Sequence, residues 1–207
     1  MVGLREKQKA ARRGLIERAA SELFVEKGFA DTTIEEIAER AVVSAPTVYN
    51  YYGTKGDLLL ALVARGEEGI EEAQDDFSKR TLNSSPTQLV TKVILSNVTD
   101  TLSALSRELW GHVVAFVATA QDPDVASRYL ETISAGLAAA IEAVLTQFQK
   151  EGRLKDSVDV NALAYLLTRM ERIHFLNFLY LKQMSEADLH AAIQDDVAII
   201  VGAYERG

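Results

Sequence analysis

Residues 33–52 read TIEEIAERAVVSAPTVYNYY, which divides into two short helical segments around a three-residue turn, Val42-Val43-Ser44. Thr33 and Glu36 have the spacing of a capping box, so a helix is predicted to begin there and to end near Ala41. Its buried face is predicted from apolar residues at helical spacing, which are Ile34, Ile37, Ala38 and Ala41.

A second short helix is predicted directly after the turn. Ser44 is a good N-cap and Pro46 suits a first helical turn, while Gly53 and Thr54 end the segment. Ala45 precedes a proline and resists helical geometry, so the first turn is expected to be irregular.

A longer helix is predicted before this pair, from about Lys9 to Lys27, with Gly28 as its C-terminal stop. Its apolar stripe consists of Ile16, Ala19, Ala20, Leu23 and Phe24. A tight helical pair braced by a preceding helix is the helix-turn-helix arrangement.

The second short helix carries hydroxyl and amide groups and few charges, which suits contact with a DNA groove. These groups belong to Thr47, Tyr49, Asn50, Tyr51, Tyr52 and Thr54. Phosphate oxygens accept hydrogen bonds from such groups, and the basic first helix together with Lys55 adds a salt-dependent attraction. From spacing alone, a structural helical hairpin with incidental hydroxyls remains an equal alternative.

The charge distribution separates a basic end from an acidic body. The formal net charge of the 207 residues is −8, but residues 1–55 contain 9 Lys/Arg and 8 Asp/Glu, hence 9 − 8 = +1. The chain has no cysteine, which fits a reducing cytoplasm, and the sequence predicts neither a signal peptide nor a membrane span. No alternating strand pattern is present, so the whole chain is predicted to be all-α.

Further helices are predicted behind the first three. One begins near Lys55 and stays helical to about Lys79, and a break is expected near Ser103 to Arg107. The predicted caps of the later helices are Ser85, Asp122, Asp159 or Ser157, and Ser185, and the last two helices are expected to end near Gln183 and Glu205.

The first 60 or so residues resemble the TetR family of repressors. The resemblance is carried by Ala19 to Phe29, Thr32 to Ala38, Val43-Ser44, Thr47 to Tyr52, and Lys55 with Leu58-Leu59. It implies a helix-turn-helix domain over residues 1–54, a helical ligand-binding and dimerisation domain over 55–207, and a head-up homodimer released from a palindromic operator by a ligand. The residues expected to contact DNA are Thr33, Ser44, Ala45, Pro46, Thr47, Tyr49, Asn50, Tyr51 and Lys55.

Two residues depart from the family pattern. Val42 stands where glycine is usual, so a positive φ at that site would strain a β-branched residue. Gly56 stands where an acidic residue is common, which is expected to loosen the link into the fourth helix.

The helix over residues 160–181 is apolar on more than one side, and the last helix has a clean apolar stripe. Together they predict a four-helix dimer interface, the alternative being the core of a monomer. The expected interface residues are Leu163, Leu167, Leu189, Ile193, Val197, Ile200 and Tyr204. Apolar walls with a few polar tips predict a pocket for a small apolar effector, the alternative being plain core packing. The expected lining is Trp110, His112, Phe116, Met170, His174, Asn177 and Phe178.

No catalytic triad, phosphate-binding glycine loop or metal-ligand spacing is present, so no catalytic residue, cofactor or metal is predicted. The sequence thus favours a cytoplasmic, DNA-binding repressor. The alternatives are an all-helical enzyme or a protein-binding adaptor that does not bind DNA.

Overall fold

A computed structural model of the chain describes residues 3–71, 84–121 and 123–206. These residues form α-helices without a named strand, which confirms the predicted all-α class. None of the described helices is both long enough and apolar enough to cross a membrane. The helices are α1 (Leu4–Lys27), α2 (Ile34–Arg40), α3 (Ala45–Tyr52), α4 (Lys55–Glu71), α5 (Pro86–Ala104), α6 (Arg107–Thr119), α7 (Pro123–Lys150), α8 (Val160–Tyr180) and α9 (Glu186–Gly202).

Side-chain caps begin several of these helices where the sequence predicts them. Thr33 with Glu36 and Ser185 with Asp188 form complete capping boxes, and the Asp159 carboxylate accepts from the backbone N–H of Ala162 at 3.0 Å. Such caps replace the hydrogen bonds that the first backbone N–H groups of a helix lack, which explains why short local patterns locate helix starts.

Some helix ends differ from the prediction. Helix α1 begins at Leu4 rather than Lys9, α8 ends at Tyr180 rather than near Gln183, and α9 ends at Gly202 rather than near Glu205. The expected break between α5 and α6 is present at residues 105–106. The predicted cap Asp122 and most of the predicted polar stretch up to Lys79 lie outside the described residues.

The chain divides into two compact units. The described part of the first unit comprises residues 3–65, 105–121 and 123–126, so it combines α1, α2, α3 and the start of α4 with α6. The second unit comprises the described residues in 66–104 and 127–206. The division after residue 54 is a functional one and stays a prediction, whereas the compact unit itself extends into α4 and includes α6.

In the second unit, α5, α8 and α9 pack against one another around a buried apolar core. Five of the seven residues predicted to face a partner belong to this core. Their side chains are at most 5% exposed within the single chain, namely Leu163, Leu167, Leu189, Ile193 and Val197. Side chains that already close the core of one chain have no surface left for a second, so burial favours the monomer-core alternative for these five residues, and the interface stays a prediction. Ile200 is half-buried and Tyr204 is 39% exposed.

Candidate nucleic-acid interface

The turn between α2 and α3 is a Schellman motif. The backbone N–H of Val42 donates to the carbonyl of Glu39 at 3.1 Å, and that of Val43 donates to the carbonyl of Ala38 at 2.9 Å. This pattern requires a left-handed residue at Val42, which has φ 57° and is the only non-glycine residue with positive φ in the described part of the chain. The strain expected at Val42 from the sequence is therefore present.

We expect Val42→Gly to raise the free energy of unfolding by about 1 kcal/mol. Left-handed backbone costs a side-chain-bearing residue roughly 1–2 kcal/mol, and glycine's extra freedom in the unfolded chain offsets about half of that. The side chain is 90% exposed, so its removal loses no packing. Urea unfolding measures the change. Val43→Gly is the matched control and is expected to destabilise the protein, since the neighbouring Val43 is half-buried and has no positive φ to relieve.

Helix α3 has an anchored side and an open side. Val48 is completely buried and Tyr52 is 8% exposed, whereas Pro46, Tyr49 and Asn50 project outward. The other residues of α3 that are expected to contact DNA lie at the edges of this open side and are half-buried: Ala45, Thr47 and Tyr51. The eight-residue helix therefore presents hydroxyl and amide groups on one side while its apolar residues hold the other.

Helix α3 begins at Ala45, directly before Pro46, although the sequence predicts an irregular first turn there. The carbonyl of Ser44 accepts from the backbone N–H groups of both Thr47 and Val48, at 2.9 and 3.3 Å. The Ser44 side chain does not cap the helix and instead lies 2.8 Å from the hydroxyl of Thr47. The hydroxyls of Ser44, which is exposed, and of Thr47, which is half-buried, therefore lie together at the open edge of the helix.

The C-terminal end of α3 is fixed to α1 by a buried carboxylate. Glu17 is 5% exposed, and its Oε1 accepts from the hydroxyl of Tyr52 and from Nε of Arg13, both at 2.9 Å. Burial and the Glu17 carboxylate together raise the pKa of Tyr52. The sequence-based view of the Tyr52 hydroxyl as a groove contact is corrected, because that hydroxyl is turned inward.

Sequence reasoning missed Glu17, although a signal is present. Glu17 falls on the helical line of Ala20 and Phe24, inside the apolar stripe of α1. An acidic residue in such a stripe needs a buried partner.

A second set of contacts joins α1 to α2. Arg40 donates to Glu26 at 2.6 Å, and Lys27 pairs with Glu36. The Lys27 ammonium and the Thr33 groups lower the pKa of Glu36 to about 2. Thr33, expected to contact DNA, is exposed but already exchanges hydrogen bonds with Glu36 in the capping box.

Lys55 is held by backbone carbonyl groups rather than projecting toward solvent. Its Nζ donates to the carbonyls of Phe29, Thr32 and Ala30 at 2.5, 2.7 and 3.2 Å, and it lies 4.5 Å from the centre of the Phe29 ring. An ammonium group has three donors, and all three are used here. Burial lowers the pKa of Lys55. Its position locks the loop between α1 and α2 to the start of α4, and its sequence-based role as a phosphate contact stays a prediction.

We expect Lys55→Met to lower the free energy of unfolding by about 1 kcal/mol, because it leaves the part-buried carbonyl groups of Phe29 and Thr32 without this donor. Methionine keeps most of the aliphatic length. The dependence of DNA affinity on salt is expected to stay unchanged, since no phosphate contact is removed. Thermal unfolding and a salt titration on the same variant measure the two effects. A fall in the salt slope of about 1 per chain would instead identify Lys55 as a phosphate contact.

Helix α6 packs against the helix-turn-helix within the first unit. The ring of Phe116 lies against Gly56 so closely that a Cβ placed there would overlap it. The His112 ring lies 5.0 Å from that of Phe29. Gly56 therefore does not loosen the start of α4, as the sequence suggested, but allows α6 to approach it.

The residues expected to line an effector pocket fall into both units. Trp110, His112 and Phe116 belong to the first unit, where Trp110 is 3% exposed. The others belong to the second unit: Met170, His174, Asn177 and Phe178. Of these, Asn177 is exposed, Phe178 is buried, and His174 lies 2.8 Å from Asp196. The pocket therefore stays a prediction.

Comparison with known proteins places the similarity in the helix-turn-helix region. Residues 16–62 match the family model described as bacterial regulatory proteins, tetR family. The transcriptional activator FasR of Mycolicibacterium smegmatis is 44% identical over 54 residues, which cover 26% of this chain and 25% of FasR. The regulator HbdR of an Aromatoleum species is 48% identical over 48 residues, covering 23% and 21% of the two chains. The chain thus aligns with only about a quarter of these relatives.

The fold extends the similarity to nearly the whole chain. The structure of Thermus thermophilus FadR, a TetR-family repressor in complex with lauroyl-CoA, superimposes with a TM-score of 0.71 at 22% identity, covering 94% of this chain and 96% of FadR. Bacillus subtilis FadR in complex with stearoyl-CoA superimposes with a TM-score of 0.60 at 19% identity, covering 92% and 98%. At these identities the comparison establishes the shared fold.

Proposed function

This chain belongs to the TetR family of bacterial regulatory proteins, and we propose that it is a cytoplasmic repressor that binds a palindromic DNA operator as a homodimer. The observation that carries the proposal is the geometry of α3. Its inner side is anchored by Val48 and Tyr52, and its outer side offers Tyr49, Asn50 and Thr47. A short, rigid helix with hydroxyl and amide groups outward matches the way a recognition helix enters the major groove.

Two features support a homodimer. The described part of each chain has one helix-turn-helix, which can read one half of a palindromic operator, and α8 and α9 carry an exposed apolar surface. We call this the α8–α9 face and define it by Leu166, Ile173 and Ile199, which are 49%, 59% and 71% exposed. The two helices are joined by the His174–Asp196 contact at 2.8 Å, so the face spans both. Two copies of this face pressed together would bury side chains that the core leaves exposed, next to the predicted Ile200.

The proposal is tested by selecting duplexes from a random pool with the purified protein. We expect enrichment of sequences with twofold symmetry, bound by two chains per duplex and released as salt rises. Retention of no duplex at low salt, or of single half-sites by a monomer with equal affinity, would overturn it. A helical enzyme or a protein adaptor would enrich no sequence.

The effector that we propose is an apolar molecule such as a fatty acyl group carried on a polar carrier. Support comes from the fold shared with a repressor in complex with lauroyl-CoA and with a transcriptional regulator in complex with stearoyl-CoA. Such a ligand would release DNA by binding more tightly to a conformer of the dimer in which the two α3 helices are spaced wrongly for the operator.

We expect lauroyl-CoA or stearoyl-CoA to release the selected duplex and to change the fluorescence of Trp110, the only tryptophan in the chain. Free coenzyme A, which lacks the acyl chain, is the control and is expected to do neither. Release by coenzyme A alone, or only by highly charged metabolites, would contradict an apolar effector.

A further inference from the structure

Helix α1 is longer than its packing requires. It begins at Leu4, yet its first residue buried against the rest of the chain is Ile16. Residues 5–13 are all exposed. We call residues 4–12 the α1 arm; at 1.5 Å per residue it adds about 13 Å of helix beyond Arg13.

The α1 arm is basic on one particular face. Arg5, Lys9 and Arg12 are spaced as i, i+4 and i+7, so they share a side of the helix. The same helical line continues into Ile16, which is completely buried. The side of α1 that is buried from Ile16 onward therefore carries a row of exposed cations in the arm.

None of these three side chains has a hydrogen bond or ion pair with a residue that the structure describes. The arm contains a single acidic residue, Glu6, against four basic ones. Cations near a helix N-terminus are repelled by the helix dipole, so these side chains do not stabilise the helix of the arm. An anionic partner lying along this face would reverse that penalty.

The position of the arm relative to α3 indicates which anion it meets. Arg13 lies 5.9 Å from the centre of the Tyr52 ring, and Glu17 accepts the hydrogen bond of the Tyr52 hydroxyl. Tyr52 is the last residue of α3, so Arg13, the residue that directly follows the arm, lies beside the C-terminal end of the proposed recognition helix. A duplex whose groove holds α3 has its phosphate backbone on both sides of that helix.

We propose that the α1 arm is a second DNA contact, in which Arg5, Lys9 and Arg12 bind backbone phosphates flanking the site read by α3. This inference rests on the proposed DNA-binding function and adds the sequence-independent part of the affinity. The charge of the arm complements the duplex, and the arm directly precedes Arg13, which lies beside the end of α3, although the whole chain is acidic with a net charge of −8.

The test compares two charge-matched variants on the selected duplex. Arg5→Gln/Lys9→Gln removes two cations from the basic face, and Lys7→Gln/Arg18→Gln removes two from the opposite side of α1, both exposed. Glutamine preserves helix propensity in each. We expect the first variant to lower the slope of log affinity against log salt by about 3 to 4 for a dimer, since each phosphate contact contributes about 0.9. The control is expected to keep the wild-type slope, because cations turned away from DNA are largely screened beyond about 10 Å.

A wild-type slope for Arg5→Gln/Lys9→Gln would overturn the arm contact, as would a slope that falls equally in both variants. Shortening the flanks of the duplex is expected to weaken the wild type and to leave Arg5→Gln/Lys9→Gln unaffected, whereas equal weakening of both would count against the arm. These failures are distinct from a failure of the proposed function, in which the wild type selects no duplex at all.

Discussion

Ile193→Glu is expected to unfold the second unit rather than to separate two intact chains. Ile193 is completely buried in α9, within the packing of α5, α8 and α9. A glutamate there loses the apolar contacts and adds an unpaired buried charge, at a cost of at least about 3 kcal/mol. Against a total stability of about 5–15 kcal/mol for a typical domain, that loss is large. Circular dichroism during heating and urea titration measure it.

The matched variant is Ile173→Glu on the α8–α9 face. Ile173 is 59% exposed, so glutamate at this position remains solvated in the single chain and the fold is expected to survive. In a dimer that uses this face, the same change places a charge in an apolar interface, and sedimentation is expected to show monomers. A stable dimer of Ile173→Glu would place the interface elsewhere, and a wild-type melting curve for Ile193→Glu would refute its core role.

The second large effect is expected at the recognition helix. Tyr49→Ala and Thr47→Ala should each weaken DNA binding strongly while the melting curve stays close to that of the wild type. Tyr49 is 48% exposed and Thr47 is half-buried at the helix edge, so neither side chain belongs to the core. One lost contact costs roughly 1–3 kcal/mol per half-site, hence about 2–6 kcal/mol for a dimer. Since about 1.4 kcal/mol corresponds to a tenfold change in the dissociation constant, this loss lowers the affinity by some 30-fold to 20,000-fold.

Two control variants distinguish the loss of a DNA contact from a disturbance of the packing around α3. Tyr49→Phe retains the ring and removes only the hydroxyl, so an intermediate loss is expected if the hydroxyl donates to a phosphate. Val25→Ala truncates a side chain of α1, outside α3, that is 74% exposed, and this variant is expected to bind DNA normally. Normal binding by both Tyr49→Ala and Thr47→Ala would mean that another element reads the DNA.

Local chemistry explains why so much of the fold could be predicted. The capping boxes at Thr33 and Ser185, the stop at Gly28 and the proline at Pro46 act over one helical turn, so the residues involved are close in sequence. The positive φ at Val42 was expected from the resemblance instead, because glycine is usual at that site in the TetR family. The order of helices and the outward side of α3 thus follow from neighbouring residues.

Contacts between residues distant in sequence decided the rest. Lys55 has the charge of a phosphate ligand but is enclosed by carbonyls some 25 residues earlier, and Tyr52 is turned inward by Glu17, 35 residues away. Helical periodicity marked Ile193 as apolar without showing that α5 and α8 already cover it. Periodicity reports which side of a helix avoids water, and only the packed chain determines whether its own helices or a partner's cover that side.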